Sequence, residues 1–179
     1  MSYSYKQLYQ KSAAFFEARP KAKKALSVWD TLLTGLFALA YVALWVYAVG
    51  WSSFVAEDYI RITFIPLLTL FLVSILRAMI ARPRPYSKKG DGITPLEERD
   101  GNDEDSFPSR HLACAMAIVL CFFPALPIVG AALAVCALVL AWLRFALGLH
   151  YPSDLLAGGA VAFIVFGSYY IMQMVFAYL

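Results

Sequence analysis

Apolar and polar residues in this chain fall into long separate blocks. Apolar stretches run from Thr31 to Trp51, Ile62 to Ala81, Ser109 to about Pro124, about Ile128 to Leu149, and about Asp154 to Leu179. None follows the two-residue repeat of a half-buried strand, and the apolar residues cover all sides of a helix. Crossing a hydrocarbon core takes about 20 apolar residues as helix. The pattern therefore predicts an all-α, polytopic transmembrane bundle of about five spans. The third block is short: its sixteen residues rise roughly 24 Å against a core of roughly 30 Å, so its start lies slightly inside the membrane.

The remaining stretches are polar. Residues 1–27 mix Tyr5, Leu8, Phe15 and Phe16 with Lys6, Lys11, Arg19, Lys21, Lys23 and Lys24. This reads as a basic, amphipathic interfacial helix, with a flexible basic tail as the alternative. The first ten residues are polar and the first apolar block is too long for a signal core, so that block reads as a span. Trp29, Trp45 and Trp51 suit membrane interfaces. Residues 83–108 form a polar loop with Asp91, Glu97, Glu98, Asp100, Asp103, Glu104 and Asp105. That loop is either simply solvated or a lid whose acids pair with arginines until a ligand enters. Gly158 and Gly159, between alanines, predict close helix packing.

Composition agrees: 61% of the 179 residues are hydrophobic and 15% charged, unlike a soluble domain, and the whole chain reads as one membrane domain. Cys114, Cys121 and Cys136 lie inside apolar blocks without metal-ligand spacing and read as packing residues. The net charge of +3 matters less than its distribution. Alternating five spans puts the N-terminal segment, the 83–108 loop and the turn near residue 150 on one side. Arg61 is then the only basic residue on the far side, and both histidines join the polar side. The positive-inside rule assigns that side to the cytoplasm.

Arg77 and Arg144 lie within apolar stretches, where a guanidinium is costly unless it is partnered or snorkels. No acid lies in either stretch, which leaves an incoming anion as the natural partner. Three segments gather the chemistry: Arg77, six residues, Arg84-Pro85; then Pro108-Ser109-Arg110-His111; then Arg144, five residues, His150, three residues, Asp154. Arginine donates in parallel to two phosphate oxygens and stays charged. Ser109 is positioned to cap a helix, whose first N–H groups bind anions. Asp154 is spaced to accept the Nδ1–H of His150 and leave Nε2 for attack on phosphorus. His111, beside Ser109, suits protonation of the leaving oxygen.

These segments resemble the type 2 phosphatidic acid phosphatase (PAP2) family, membrane relatives of the vanadium haloperoxidases. The family pattern is Lys, six residues, Arg-Pro; Pro-Ser-Gly-His; and Ser-Arg, five residues, His, three residues, Asp. The resemblance covers about Arg77 to Asp154. It implies that His150 forms a phosphohistidine, His111 acts as general acid and Asp154 orients His150. Arg77, Arg84, Arg144 and Ser109 would hold the phosphate, without metal or cofactor. Arg77 replaces the family Lys, Arg110 the Gly and Leu143 the Ser. Arg110 therefore offers its backbone N–H, and its side chain either joins the phosphate or turns to the acidic loop. The expected substrate is a lipid phosphate held within the membrane, not nucleic acid: a polyprenyl diphosphate, phosphatidylglycerophosphate or phosphatidic acid. The alternative is a protein that binds or transports a phosphorylated ligand without turnover.

Overall fold

The computed structural model of the chain describes residues 5–50, 54–96 and 105–177. Six helices follow in order: α1 (Tyr5–Glu17), α2 (Pro20–Gly50), α3 (Ala56–Ile80), α4 (Arg110–Phe122), α5 (Pro127–Ala146) and α6 (Pro152–Ala177). Prolines set several of the boundaries. A proline disfavours helix in the residue before it and is tolerated at a helix start. Pro20, Pro127 and Pro152 accordingly open α2, α5 and α6. Helix α3 ends at Ile80 and is capped by Ala81, in the left-handed conformation with φ 44°, two residues before Pro83. Gly148, at φ +77°, turns the chain away after α5.

Helices α2, α3, α5 and α6 are each long and apolar enough to cross a membrane, and α4 is a shorter apolar helix. The five apolar helices match the predicted blocks, and the third is the short one, as expected. Its thirteen residues rise only roughly 20 Å. It is also the hub, packing against α2, α3, α5 and α6. Gly158 allows the closest approach: a Cβ there would stand 2.5 Å from the Ser109 carbonyl oxygen. Such contact between backbones is what small residues provide where lipid supplies no hydrophobic drive between helices. The outward faces, such as Leu39, Val42, Val46 and Val49 of α2, remain exposed for lipid.

The N-terminal segment divides differently from the expected 1–27 unit. Helix α1 stops at Glu17, and residues 20–27 belong to α2, which begins well before the apolar block. Helix, once nucleated by the long span, propagates through the charged residues. Tyr5, Tyr9, Ala13 and Phe16 put the inward side of α1 against the bundle. The Tyr9 hydroxyl donates to the Thr94 carbonyl oxygen at 2.9 Å, and Lys6 Nζ to that of Asp91 at 3.1 Å. A Cβ on Gly148 would meet the Tyr9 ring at 2.8 Å. Helix α1, the described part of the 83–108 loop and the turn before α6 therefore share one end of the bundle. Glu97, Glu98, Asp100, Asp103 and Glu104, on which the lid idea depends, lie outside the described residues.

Candidate active site

Buried polar groups in a membrane bundle mark function more often than stability. Among the described residues they are Asp30, Arg61, Thr69, Arg77, Ser87, Ser106, Ser109, Arg144, His150 and Asp154. All but Arg61 and Thr69 belong to the end that carries α1 and the polar loop.

Asp154, in the first turn of α6, is the centre of this network. Its Oδ2 accepts the Tyr151 N–H at 2.9 Å and the hydroxyl of Ser106. Its Oδ1 accepts from Arg82 Nη1 at 2.9 Å, and the same nitrogen donates to Ser153 Oγ at 2.8 Å. The Arg82 guanidinium lies over the Tyr151 ring, 4.2 Å from its centroid. The Asp154 backbone carbonyl accepts the Ser109 N–H at 2.9 Å, tying α6 to the start of α4. His150 Nδ1 stands 3.5 Å from Asp154 Oδ2. The predicted pair is thus side by side, but at that length its hydrogen bond is not closed. Catalytic contacts are often this long before substrate tightens them.

His150 is 1% exposed, with its Nδ1 buried and hydrogen-bonded to no described residue. Burial pushes its imidazole down to about 4, against the upward pull of Asp154, and the charges of Arg84 and Arg144 push the same way as burial. At neutral pH the ring is uncharged, the state a nucleophile requires. Tyr5 of α1 covers the neighbouring turn, its ring 4.7 Å from that of Tyr151 and 5.8 Å from that of Phe145.

The arginines converge from three helices and a loop. Arg77 is buried and donates from Nη1 to the Pro108 carbonyl oxygen at 3.1 Å. It lies within electrostatic reach of Arg84 and Arg110. Arg84 has a buried Nε with no hydrogen-bond partner among the described residues. Arg144 corrects a sequence expectation. Its partner is not left to an incoming anion: Asp30 of α2 brings Oδ1 to 2.7 Å from Arg144 Nε. The acid comes from a helix more than a hundred residues away in the chain, so local sequence gives no sign of it.

Ser109 occupies the N-cap position of α4 but makes no side-chain cap, contrary to expectation. Its hydroxyl is buried and bonds to no described residue. A buried unpaired hydroxyl is costly unless a ligand uses it. Arg110 and His111 are exposed. They border a cavity of about 390 Å³ with Thr34, Phe37, Leu70 and Leu140, between α2, α3, α4 and α5. His150 does not line this cavity. The two histidines share one end of the bundle, but His111 faces a lateral apolar opening and His150 is enclosed.

Sequence reasoning missed Arg82, Ser106 and Asp30. The doubled Arg-Pro of Arg82-Pro83-Arg84-Pro85 was the available signal for the first. Among the described residues, no three of His, Cys, Asp and Glu are grouped to hold a metal ion.

A bundle of apolar helices with cations, imidazoles and a carboxylate gathered at one end defines a class: a multi-pass membrane protein with a candidate site for a phosphorylated ligand. The sequence profile of the PAP2 superfamily matches residues 58–177, and the chain belongs to that family. Over 100 residues it is 31% identical to the lipid A 1-phosphatase of Rhizobium johnstonii, covering 55% of this chain and 39% of that protein. The chain thus spans about two fifths of the curated relative it matches. The crystal structure of LpxE from Aquifex aeolicus has the same fold, with a TM-score of 0.65 at 22% identity, over 91% of this chain and 92% of that one. A PAP2-type phosphatidylglycerolphosphate phosphatase from Bacillus subtilis also shares it, with a TM-score of 0.60 at 19% identity, over 95% and 94%. The resemblance seen from Arg77 to Asp154 is borne out at the level of family and fold.

Proposed function

We propose that this protein, acting as a single membrane domain, hydrolyses a phosphomonoester or diphosphate on a membrane lipid through a phosphohistidine at His150. The observation that carries this reading is the buried His150 beside Asp154, with Arg84 and Arg144 near enough for their charges to act on it. In the first step Nε2 of His150 forms a bond to phosphorus as the bond to the lipid oxygen breaks. His111 donates a proton to that oxygen, and Asp154 stabilises the positive charge that develops on the His150 ring. Arg77, Arg84 and Arg144 hold the phosphoryl oxygens, with the Ser109 hydroxyl and the first N–H groups of α4. Water then attacks the phosphohistidine, giving its proton to His111 as the phosphorus–nitrogen bond breaks, which releases inorganic phosphate and restores both histidines. No step needs a metal or cofactor.

The lateral cavity at Arg110 and His111 supports a substrate with an apolar anchor. Phosphatidylglycerophosphate, phosphatidic acid, a polyprenyl diphosphate and a phosphorylated glycolipid such as lipid A all satisfy that chemistry. The basic residues of α1 and the start of α2 support a cytoplasmic site. The test is phosphate release from a panel of these lipids by the purified protein, with His150→Ala as control. Release by the parent and loss of turnover in His150→Ala are expected. Phosphate release by His150→Ala within tenfold of the parent would remove the assignment, and binding without release by the parent would favour a carrier.

A further inference from the structure

Asp30 lies about three turns into α2 and is 1% exposed, and its partner Arg144 is 3% exposed. One turn further along α2, Thr34 accepts from Arg144 Nη2 at 3.3 Å and donates to the Asp30 carbonyl oxygen at 2.8 Å. Asp30 Oδ1 and Arg144 Nε meet as an ion pair at 2.7 Å, at an angle that makes no hydrogen bond between those two atoms. Two residues of one helix therefore contact one guanidinium on another, Asp30 through charge at the Nε edge and Thr34 through a hydrogen bond from Nη2. Desolvating two charges is expensive, and apolar replacements of buried pairs are often neutral or stabilising. Stability alone is thus a weak reason for this arrangement. Orientation is a better one. A guanidinium is planar, and contacts at two of its nitrogens, the ion pair at Nε and the hydrogen bond from Nη2, restrict the plane in which its other N–H groups point. Arg144 itself is joined to the catalytic turn, because its carbonyl oxygen accepts the Leu149 N–H at 3.1 Å. Thr34 borders the cavity that Arg110 and His111 share.

We propose that Asp30 is a positioning residue, setting the Arg144 guanidinium in the orientation that receives the transferring phosphoryl group. The inference rests on the lipid-phosphatase reading above. It assigns α2, which lies outside the stretch matched by the family profile, a part in the chemistry. Two rivals make opposite demands. A purely structural pair affects folding and leaves turnover of the folded protein alone. An acid that competes with phosphate for Arg144 slows the enzyme, so that its removal raises the rate.

The experiment is a double-mutant cycle on the full chain in detergent: parent, Asp30→Asn, Arg144→Gln and both together, with kcat, KM and thermal midpoint measured for each. The substrate is whichever lipid phosphate the parent turns over. Asp30→Asn is expected to lower kcat roughly tenfold, with KM changed less than about threefold. Asp30→Glu should recover part of the rate. In the Arg144→Gln background the same substitution should change kcat less than about threefold, because its route of action is gone. Thr34→Val, which removes the second contact without stranding a charge, should lower kcat in the same background-dependent way and serves if Asp30→Asn does not fold. Equal losses in both backgrounds, an unchanged kcat, or a faster Asp30→Asn enzyme would each overturn the proposal. If the parent and His150→Ala behave as expected while Asp30→Asn keeps full rate, only this inference fails. A parent that releases no phosphate from any lipid overturns both readings.

Discussion

Arg82 Nη1 is 2.9 Å from Asp154 Oδ1, so the carboxylate beside His150 is already neutralised from the other side. Asp154 is 0% exposed as a side chain, while Arg82 keeps 35% of its surface. A hydrogen bond to a charged group contributes about 1.5–3 kcal/mol, and the partial exposure of Arg82 favours the lower end. Arg82→Ala is therefore expected to lower kcat/KM roughly tenfold through a misplaced Asp154, and Arg82→Lys to restore much of it. Steady-state kinetics on one lipid phosphate decide the matter. A faster Arg82→Ala enzyme would mean that Arg82 draws the carboxylate away from His150.

His150 gives a pH prediction with a definite sign. Its ordinary value of 6.5 is pushed down to about 4 in the folded protein. Between those values the unfolded chain binds a proton that the folded chain refuses. The contribution of His150 to stability should therefore fall as pH drops from 6.5 toward 4, and stay constant above 6.5. Nitrogen chemical shifts of the imidazole in labelled protein should show a neutral ring down to about pH 5. A midpoint near 6.5 would mean that the ring is solvated and not enclosed.

The contact between Gly158 and Ser109 predicts a contrast between adjacent glycines. A Cβ on Gly158 would stand 2.5 Å from a backbone oxygen that cannot swing aside, whereas one on Gly159 would meet only Met116 Cγ at 4.0 Å. Overpacking of this kind costs about 1–3 kcal/mol, a fall of roughly 5 °C in thermal midpoint for a chain of this size. Gly158→Ala should show that fall and lose activity, because Ser109 and the start of α4 must move. Gly159→Ala should retain both. Equal midpoints for the two variants would show that α4 and α6 pack less closely than described.

Much of this was legible in the sequence because membrane spans depend on composition over long windows, which local apolar blocks reveal directly. The three segments carrying Arg77 and Arg84, Ser109 to His111, and Arg144 to Asp154 were legible for a second reason. Each segment spans or adjoins an end of a helix, where short spacing in the chain converts to position in space. Asp30 was not, because its meeting with Arg144 depends on how α2 packs against α5. The length of the Asp154–His150 contact was hidden similarly. It depends on Arg82 and Ser106, which compete for the same carboxylate from a different part of the chain. Ser109 was placed at the helix start, yet its hydroxyl does not cap that helix, and the packing of α6 against its backbone could not be read from its own neighbours.

Arg110 remains the clearest departure from the family pattern, and its position now favours a side-chain role. It is not among the described residues with positive φ, so the backbone does not demand the glycine found there in relatives. Its side chain is exposed and borders the lateral cavity beside His111. A lipid phosphate entering that cavity would meet Arg110, which lies within electrostatic reach of Arg77. Removing one charge-assisted contact of about 1.5–3 kcal/mol corresponds to roughly tenfold or more in catalytic efficiency. Arg110→Gly and Arg110→Ala are both expected to lose that factor in kcat/KM, mainly through KM if the contact serves capture more than the transition state. The Ala variant separates the side chain from any change in backbone freedom at the start of α4. Full rates in both, at unchanged thermal stability, would exclude the side chain and leave Arg77, Arg84 and Arg144 as the phosphate clamp.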